Sequence, residues 1–191
     1  ADRNKHAVDS LIRNHRILTK AYETETRPMK RALWAYYLGT HAAELDQPDE
    51  VRRFYREAAD GLGLNNLACD TLVRWSRFEG RFGNAERAIA LAAEAIGKAP
   101  ELPDGLAALG VAQVNAGSEI RAASVFDSLR AQPPPAFESQ HDAVFLDGIA
   151  KCRAALAYYR VGRVEDAVRA LAEVPKGLQI HPDVRAASKP V

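Results

Sequence analysis

The stretch GNAERAIALAAEAIGKAP, residues 83–100, contains seven alanines between a glycine at its start and a proline at its end. Ala88, Ala92 and Ala95 are spaced i, i+4 and i+7, so they form one stripe along a face of an α-helix. Small side chains allow a second helix to approach closely, and a larger one there would overpack the contact by roughly 1–3 kcal/mol. The alternative explanation is that alanine is simply a good helix former.

The same features recur at an interval of 34 residues, which favours a packing role. Six pairs of small, apolar or helix-breaking residues share this spacing: Leu72 and Leu106, Ser76 and Gly110, Gly83 and Gly117, Ala88 and Ala122, Ala92 and Phe126, Pro100 and Pro134. Helix propensity alone would not place Trp75 and Phe126 at the apolar positions of such a period. The sequence therefore predicts a repeated helix–turn–helix unit.

The rest of the chain also has helical character. Apolar residues follow the 3.6-residue period almost throughout, and alternating strand patterns are nearly absent. Short segments with Gly, Pro or Asn, such as DGLGLNN and AQPPPAF, separate the periodic stretches. A first helix is predicted from Ala7, Leu11, Ile17, Leu18 and Tyr22, which are placed near one face. The predicted fold class is all-α.

These residues resemble the tetratricopeptide repeat (TPR), a helix–turn–helix unit of about 34 residues. Two units carry the pattern through Leu72, Trp75, Gly83, Ala88, Ala92, Ala95 and Pro100, and through Leu106, Gly110, Gly117, Ala122, Phe126, Leu129 and Pro134. An earlier unit matches at Leu38, Gly39, Val51, Tyr55 and Ala58, with Asp46 in place of the turn glycine, and a degenerate fourth unit matches at Tyr158, Gly162, Ala167 and Leu171. The resemblance implies a right-handed α-solenoid of antiparallel helix pairs with an extra N-terminal helix and a short C-terminal tail.

The predicted domain organisation has three parts. Residues 1–27 form an N-terminal capping helix, residues 28–175 form three to four TPR-like helix pairs (28–63, 66–100, 101–134 and 138–175), and residues 176–191 form a C-terminal tail. A repeat stack needs covered ends, because an open apolar face favours association. The tail residues Leu178, Ile180 and Val184 are therefore predicted to form a short cap or to pack across a homodimer.

The composition of the chain limits the classes of partner that it is expected to bind. The 191 residues are 47% hydrophobic and 27% charged, with a formal net charge of +1. Near-neutral charge argues against nucleic acid, and no apolar run approaches the roughly 20 residues that cross a bilayer. We expect a cytoplasmic protein that binds neither nucleic acid nor membranes. The chain begins with Ala1 rather than Met, which indicates a processed product or a piece of a longer protein.

The sequence shows no pattern typical of catalysis or of a cofactor. The histidines are scattered, and His41 with Glu44 is a pair without further metal ligands. No phosphate-binding loop or GxSxG motif occurs, and Cys69 and Cys152 lack CxxC spacing, so two buried reduced thiols are expected. We therefore predict a chain that is not an enzyme and holds no cofactor or metal.

The repeat points instead to a partner-binding groove. The inner wall of a solenoid is made mainly by the first helix of each unit. One helical turn away from the buried positions, this wall is predicted to carry the following residues: Tyr36, Tyr37, Thr40, Arg74, Arg77, Arg81, Val111, Asn115, Arg153 and Arg160. Arg74, Arg77 and Arg81 lie on one helical stripe, which favours an acidic peptide or another anionic partner held by guanidinium groups. Alternatively, they pair with nearby carboxylates such as Asp70, Glu79 and Glu86.

The leading functional prediction is a non-catalytic, TPR-type protein-interaction scaffold with a partly basic concave groove. A TPR regulator of signalling or transcription is a related interpretation. A different one comes from a second resemblance: Arg31, the aromatic run Trp34–Leu38 and the helix Val51–Ala58 are similar to the C-terminal region of bacterial and phage family 2 glycosyltransferases. It implies an accessory domain that organises dimers or positions an acceptor for a larger enzyme.

Overall fold

The computed structural model describes residues 2–63, 65–133 and 142–189, with side chains from Ser10 onward. The α-helices are, in chain order, α1 (Asp2–Thr24), α2 (Pro28–Glu44), α3 (Pro48–Gly61), α4 (Asn66–Arg81), α5 (Ala85–Lys98), α6 (Pro103–Asn115), α7 (Glu119–Ala131), α8 (Lys151–Arg160), α9 (Val164–Ala172) and α10 (Pro182–Ala187). A π-helical segment, Val144–Ala150, leads directly into α8. The described residues contain no strand, which confirms the all-α prediction.

The helices pack as antiparallel pairs: α2 with α3, α4 with α5, α6 with α7, and α8 with α9. The first helix of each pair also contacts the first helix of the next, and each second helix contacts the first helix that follows it. This is the arrangement of an α-solenoid, with first helices forming one layer and second helices the other. The unit boundaries given above stay a prediction, and Pro134 and the predicted start at 138 lie outside the described residues.

The turn inside each pair contains one residue with a left-handed backbone. Gly83, Gly117 and Gly162 have φ of 78°, 69° and 81°, and Asp46 takes the same conformation with φ of 54°. Glycine adopts this region without a Cβ clash, and aspartate is one of the few other residues that tolerate it. Asp46 therefore does the work of the turn glycine in the first pair.

A small residue lies opposite a large one where the helices of a pair come closest. A Cβ added to Gly39 would lie 2.5 Å from the ring of Tyr55, and one added to Gly110 would lie 2.6 Å from the ring of Phe126. In the α4–α5 pair the corresponding residue is Ser76, whose hydroxyl donates a 2.8 Å hydrogen bond to the Ala88 carbonyl. Two pairs thus place a glycine against an aromatic ring, and the α4–α5 pair uses a serine that hydrogen-bonds to the facing backbone.

The alanine stripe of residues 83–100 is buried, as the spacing predicts. Ala88, Ala92 and Ala95 are fully inaccessible to solvent and belong to or adjoin the main core with Leu72 and Trp75. The alanines of the stripe are therefore explained by helix packing and not by helix propensity, because a surface helix would leave at least part of the stripe exposed.

An ion pair between a half-exposed arginine and a buried carboxylate joins the first helix pair to the second. Glu79 is fully buried and accepts hydrogen bonds from Arg52 Nε at 2.9 Å, Trp75 Nε1 at 3.0 Å and Asn84 Nδ2 at 3.3 Å. Burial raises the pKa of this carboxyl, but the hydrogen bonds from Arg52 and Trp75 outweigh that effect and leave the pKa below its ordinary value. Glu79 is therefore a structural residue and not a partner of the groove arginines.

The tail packs on the first helix of the last pair, and its predicted role as a cap or dimer contact stays a prediction. Helix α10 packs against the π-helical segment and α8, where Val184 fills the space beside Gly148. Val184 and Ala187 form a small cluster with Cys152 and Val174. At the other end, α1 packs on α2, and Tyr22 makes an edge-on contact with Phe54. No helix of the described residues is long and apolar enough to span a bilayer.

A turn glycine and a helix glycine give a matched pair of substitutions. Gly117→Ala should lower the free energy of unfolding by about 1–2 kcal/mol, because alanine is strained at positive φ. Gly97 is exposed in helix α5, with open space around an added Cβ, so Gly97→Ala should raise it by about 0.5–1 kcal/mol. Urea unfolding followed by circular dichroism measures both. Equal effects of the two variants would contradict the role assigned to the turn.

The size pairing predicts a rescue. Ala92→Phe should destabilise the protein by about 1–3 kcal/mol, because Ser76 leaves no room for a ring in the α4–α5 pair. The double variant Ser76→Gly with Ala92→Phe reproduces the Gly110–Phe126 combination and should recover a large part of that loss. Thermal denaturation of the two single variants and the double variant provides the comparison. Simple additivity of the two losses would show that the helices do not pack by this rule.

Candidate functional site

The layer of first helices holds two adjoining clefts. The first, of about 350 Å³, is lined by Thr40, Ala43, Glu44, Tyr55, Arg74, Arg77, Phe78, Arg81, Asp142, Ile149 and Asp183. The second, of about 480 Å³, is lined by Ser76, Arg77, Gly80, Arg81, Gly83, Ala108, Val111, Ala112, Asn115, Phe145, Ile149, Arg153, Asp183, Ala186 and Ala187. Because they share Arg77, Arg81, Ile149 and Asp183, we treat them as one surface and call it the groove.

The predicted site residues divide into two groups. Seven of them line the groove: Thr40, Arg74, Arg77, Arg81, Val111, Asn115 and Arg153. The other three line neither cleft: Tyr36, Tyr37 and Arg160. Tyr37 is exposed and contacts the rings of Trp34 and Tyr36, while Arg160 forms a 2.7 Å ion pair with Glu119 at the start of α7. The partner-binding role of all ten stays a prediction.

Arg74 belongs to a hydrogen-bonded group at one edge of the groove. Its Nε lies 2.7 Å from Asp70 Oδ2, and the Tyr36 hydroxyl donates to the same oxygen at 2.6 Å. Burial lowers the pKa of the Arg74 guanidinium, but the charge of Asp70 outweighs it and the net pKa is raised. Burial and the neighbouring Asp70 both raise the pKa of Tyr36. The positive charge of Arg74 is therefore already balanced by a carboxylate of its own chain.

Arg77 connects two distant parts of the sequence. Its Nη1 lies 2.7 Å from Asp142 Oδ2, and its guanidinium lies 4.3 Å from the centre of the Phe145 ring. Burial raises the pKa of Asp142, but the hydrogen bond and charge of Arg77 outweigh it, so the net pKa is lowered. The pair fixes the start of the π-helical segment against α4, since both side chains are mostly buried.

Arg81 is the most exposed of the three. Its Nη2 lies 2.7 Å from Asp46 Oδ1 and donates to the Ala43 carbonyl at 3.2 Å. Both charged side chains are more than half exposed, so the pair contributes at most about 1 kcal/mol to stability. The alternative of intramolecular pairing is therefore correct for these arginines, although of the carboxylates suggested by the sequence only Asp70 takes part.

Arg153 differs from the other groove arginines. Its Nη1 is buried and has no hydrogen-bond partner, and no carboxylate pairs with it among the described residues. Burial is the main reason that the pKa of its guanidinium is lowered, and the nearby Arg160 lowers it further. A cation in this position lacks the compensation that buried charges ordinarily have.

Several groove residues were not predicted from the sequence. Asp142 and Phe145 belong to the segment where the 34-residue period breaks, since Gly117 and Gly162, the turn residues of the last two pairs, do not keep that spacing. Asp183, Ala186 and Ala187 belong to the tail, which folds back beside the groove. The only signal in the sequence was HPD at 181–183, a helix start with proline in its first turn.

The groove is mixed in charge. Its lining contains Arg74, Arg77, Arg81 and Arg153 together with the carboxylates Glu44, Asp142 and Asp183. No group of three or more potential metal ligands occurs within the described residues. Cys69 and Cys152 are buried and free, and burial raises the pKa of the Cys69 thiol to about 12. This lining can therefore recognise a ligand through directional polar contacts.

Comparison of the fold with solved structures gives a consistent result. MamA superimposes with a TM-score of 0.63 at 15% identity, covering 90% of each chain. YrrB, described as a TPR protein with an unusual peptide-binding site, gives 0.58 at 19% identity over 97% of this chain and 87% of its own. TTC0263, a thermophilic TPR protein of Thermus thermophilus, gives 0.61 at 15% identity over 96% and 93%.

The chain has the tetratricopeptide-repeat fold. No family profile and no curated protein sequence matches it. In the TPR arrangement the first helices form the concave wall, which is the layer that holds the groove. The resemblance to the C-terminal region of family 2 glycosyltransferases remains a prediction.

The Arg77–Asp142 pair gives the TPR array a specific pH dependence. The pKa of Asp142 is lower in the folded than in the unfolded chain, so its stabilisation is present above about pH 4 and is lost as the pH falls through the folded pKa. Asp142→Asn should cost about 1 kcal/mol at pH 7, and its difference from the unchanged protein should shrink toward pH 3. Denaturant unfolding at several pH values measures this difference.

Arg77→Gln provides the control, because it removes the same pair from the other side. In that background Asp142→Asn should have a smaller further effect, and the pH-dependent difference between the two should shrink, because only the hydrogen bond from the Phe145 N–H and the charge of Arg74 then lower the pKa of Asp142. A difference that persists unchanged from pH 7 to pH 3 would show that another group holds the pKa of Asp142 down.

Proposed function

We propose that this protein is a non-catalytic interaction module that binds a segment of a partner protein in the groove, with Arg153 as the anchor for a carboxylate or another anionic group. The observation that carries the proposal is the buried, unpartnered Nη1 of Arg153 in the lining of the larger cleft. The partner is therefore expected to be acidic at one position and not along its whole length, because the other groove arginines already have carboxylate partners.

The energetics of Arg153 support a ligand. A partly desolvated guanidinium is unfavourable in the free protein, since burial disfavours its charged form and no carboxylate of the described residues offsets the loss of water. An incoming carboxylate can accept two parallel N–H bonds from a guanidinium, which is the strongest geometry for this pair of groups. Binding would thus satisfy a donor that folding leaves unsatisfied.

The walls around Arg153 suit a peptide rather than a small ion. Val111, Phe145 and Ile149 give apolar contact area, and Asn115 adds an amide near the mouth of the cleft. A few polar groups on an otherwise apolar wall are typical of sites that fix the orientation of a ligand. YrrB, which has the same fold, is described as having a peptide-binding site.

The experiment compares acidic and neutral peptides. The probe is a fluorescein-labelled library of ten-residue peptides with one Asp or Glu at varied positions and as the C-terminal carboxylate, and the matched library has Asn, Gln and a C-terminal amide. Arg153→Met should weaken the selected acidic peptide by about 10-fold to 100-fold, the equivalent of a lost hydrogen bond to a charged group. Fluorescence anisotropy measures the dissociation constants.

The same variant makes a second, independent prediction. Because Arg153→Met replaces an unpartnered cation by an apolar side chain of similar length, it should raise the free energy of unfolding by about 0.5–2 kcal/mol. Arg160→Met lies on the same helix but breaks the ion pair with Glu119, so it should lower stability and leave peptide affinity unchanged. Absence of any preference for acidic over neutral peptides, or equal loss in both variants, would exclude Arg153 as the anchor.

A further inference from the structure

Helix α9 carries an exposed apolar stripe. Val164, Val168 and Leu171 are spaced i, i+4 and i+7, so they lie on one face of the helix. Their exposed fractions are 53%, 62% and 47%. Isolated apolar residues are common on protein surfaces, but three on one short helical face form a contiguous patch that calls for a physical reason.

The repeat register shows what this face does elsewhere in the chain. Gly117 and Gly162 occupy the same left-handed turn position, which aligns Val164, Val168 and Leu171 of α9 with Glu119, Ala123 and Phe126 of α7.

In α7 these positions lie toward the next first helix, although Phe126 also packs against Gly110 of its own pair. Ala123 and Phe126 are only 4% and 3% exposed, and Glu119 binds Arg160 of α8 at 2.7 Å. The face is therefore the surface on which the following helix stacks.

Nothing in the described part of the chain stacks on α9 in this way. Helix α10, the next helix after α9, contacts the π-helical segment and α8 and makes no contact with α9. Val184, which anchors α10, fills the space beside Gly148 instead. The stripe therefore has the chemistry of a stacking face and lacks the helix that a stacking face receives.

We propose that α9 of a second copy of this chain covers the stripe, in an antiparallel arrangement about a two-fold axis. A two-fold contact uses the same surface on both subunits, so one contact covers both stripes and the assembly closes as a dimer. With Val168 of each copy at the axis, Val164 of one copy lies opposite Leu171 of the other.

The charges beside the stripe fit this arrangement. Glu165 and Arg169 are exposed on one flank of α9, one helical turn apart. In an antiparallel pair, equivalent flanks meet with reversed direction, so Glu165 of each copy lies near Arg169 of the other. A parallel two-fold pair would instead bring opposite flanks together and would form neither of these contacts.

The contact is small, which determines its strength. Three apolar side chains per copy bury less surface than the roughly 1,200–2,000 Å² typical of stable interfaces. The dimer is therefore weak, with a dissociation constant expected on the order of 100 μM, since interfaces below the standard size are those of weak and transient complexes. The assembly is populated at high local concentration and not in dilute solution.

Sedimentation velocity over about 5 μM to 1 mM, a range that brackets the expected dissociation constant, tests the dimer with a matched pair of variants. Val168→Glu places a carboxylate at the axis of each copy and should weaken dimerisation at least tenfold. Ile120→Glu is the control, since Ile120 is 79% exposed on α7 and lies outside the stripe. It should leave the dissociation constant unchanged. Circular dichroism establishes that both variants remain folded, as expected for substitutions at exposed positions.

Disulfide formation tests the geometry. Both native cysteines are buried, so an introduced cysteine is the accessible thiol. Val168→Cys should cross-link to itself under mild oxidation, because the two-fold axis brings the two Cβ atoms together. Val164→Cys and Leu171→Cys should cross-link poorly alone and efficiently when mixed. A monomer at the highest concentration, species larger than a dimer, or efficient cross-linking of Val164→Cys to itself would each overturn the proposal. None of these measurements involves the groove, so they are independent of the proposed peptide binding.

Discussion

The close approach of the two helices in each pair is the constraint on which the rest of the structure depends. Where Gly39 faces Tyr55 and Gly110 faces Phe126, a ring lies against a helix backbone without an intervening side chain. In the α4–α5 pair, Ser76 takes the place of the glycine and donates a hydrogen bond to the Ala88 carbonyl. Because each pair packs closely, successive first helices contact one another, share one layer and together form a wall.

That wall brings together charges that are far apart in the sequence. Arg77 and Arg81 on α4 pair with Asp142 and Asp46 from other parts of the chain, whereas Arg74 pairs with Asp70 on its own helix. The pairs stabilise the wall and also restrict what the groove can bind, since a paired guanidinium must give up its partner before it accepts another. Arg153 is under no such restriction. Its buried Nη1 without a hydrogen-bond partner lowers the stability of the folded chain. Binding sites retain such destabilising groups, whereas structural positions rarely do.

The two ends of the helical array are treated differently. On the N-terminal side, α1 packs against α2 and buries Tyr22 beside Phe54. On the other side, α10 turns toward the groove and leaves the outer face of α9 open. The physical difference lies in Gly148, which leaves space for Val184 and draws α10 toward the π-helical segment. The position of α10 therefore affects both surfaces. It borders the groove, and it leaves the outer face of α9 exposed to solvent.

The sequence by itself determined the class of fold, the repeat and six of the groove residues on α2, α4 and α6, among them all three groove arginines of α4. These features follow from local periodicity. A recurrent 34-residue pattern indicates which side chains lie between the two helices of a pair, whatever the position of that pair relative to its neighbours. The electrostatic partners were decided only by the tertiary structure. Asp142 is 65 residues from Arg77, and the fold-back of α10 with Asp183 depends on one space beside Gly148. Contacts of this kind arise from the stacking of separate units, and periodicity within a unit carries no information about them.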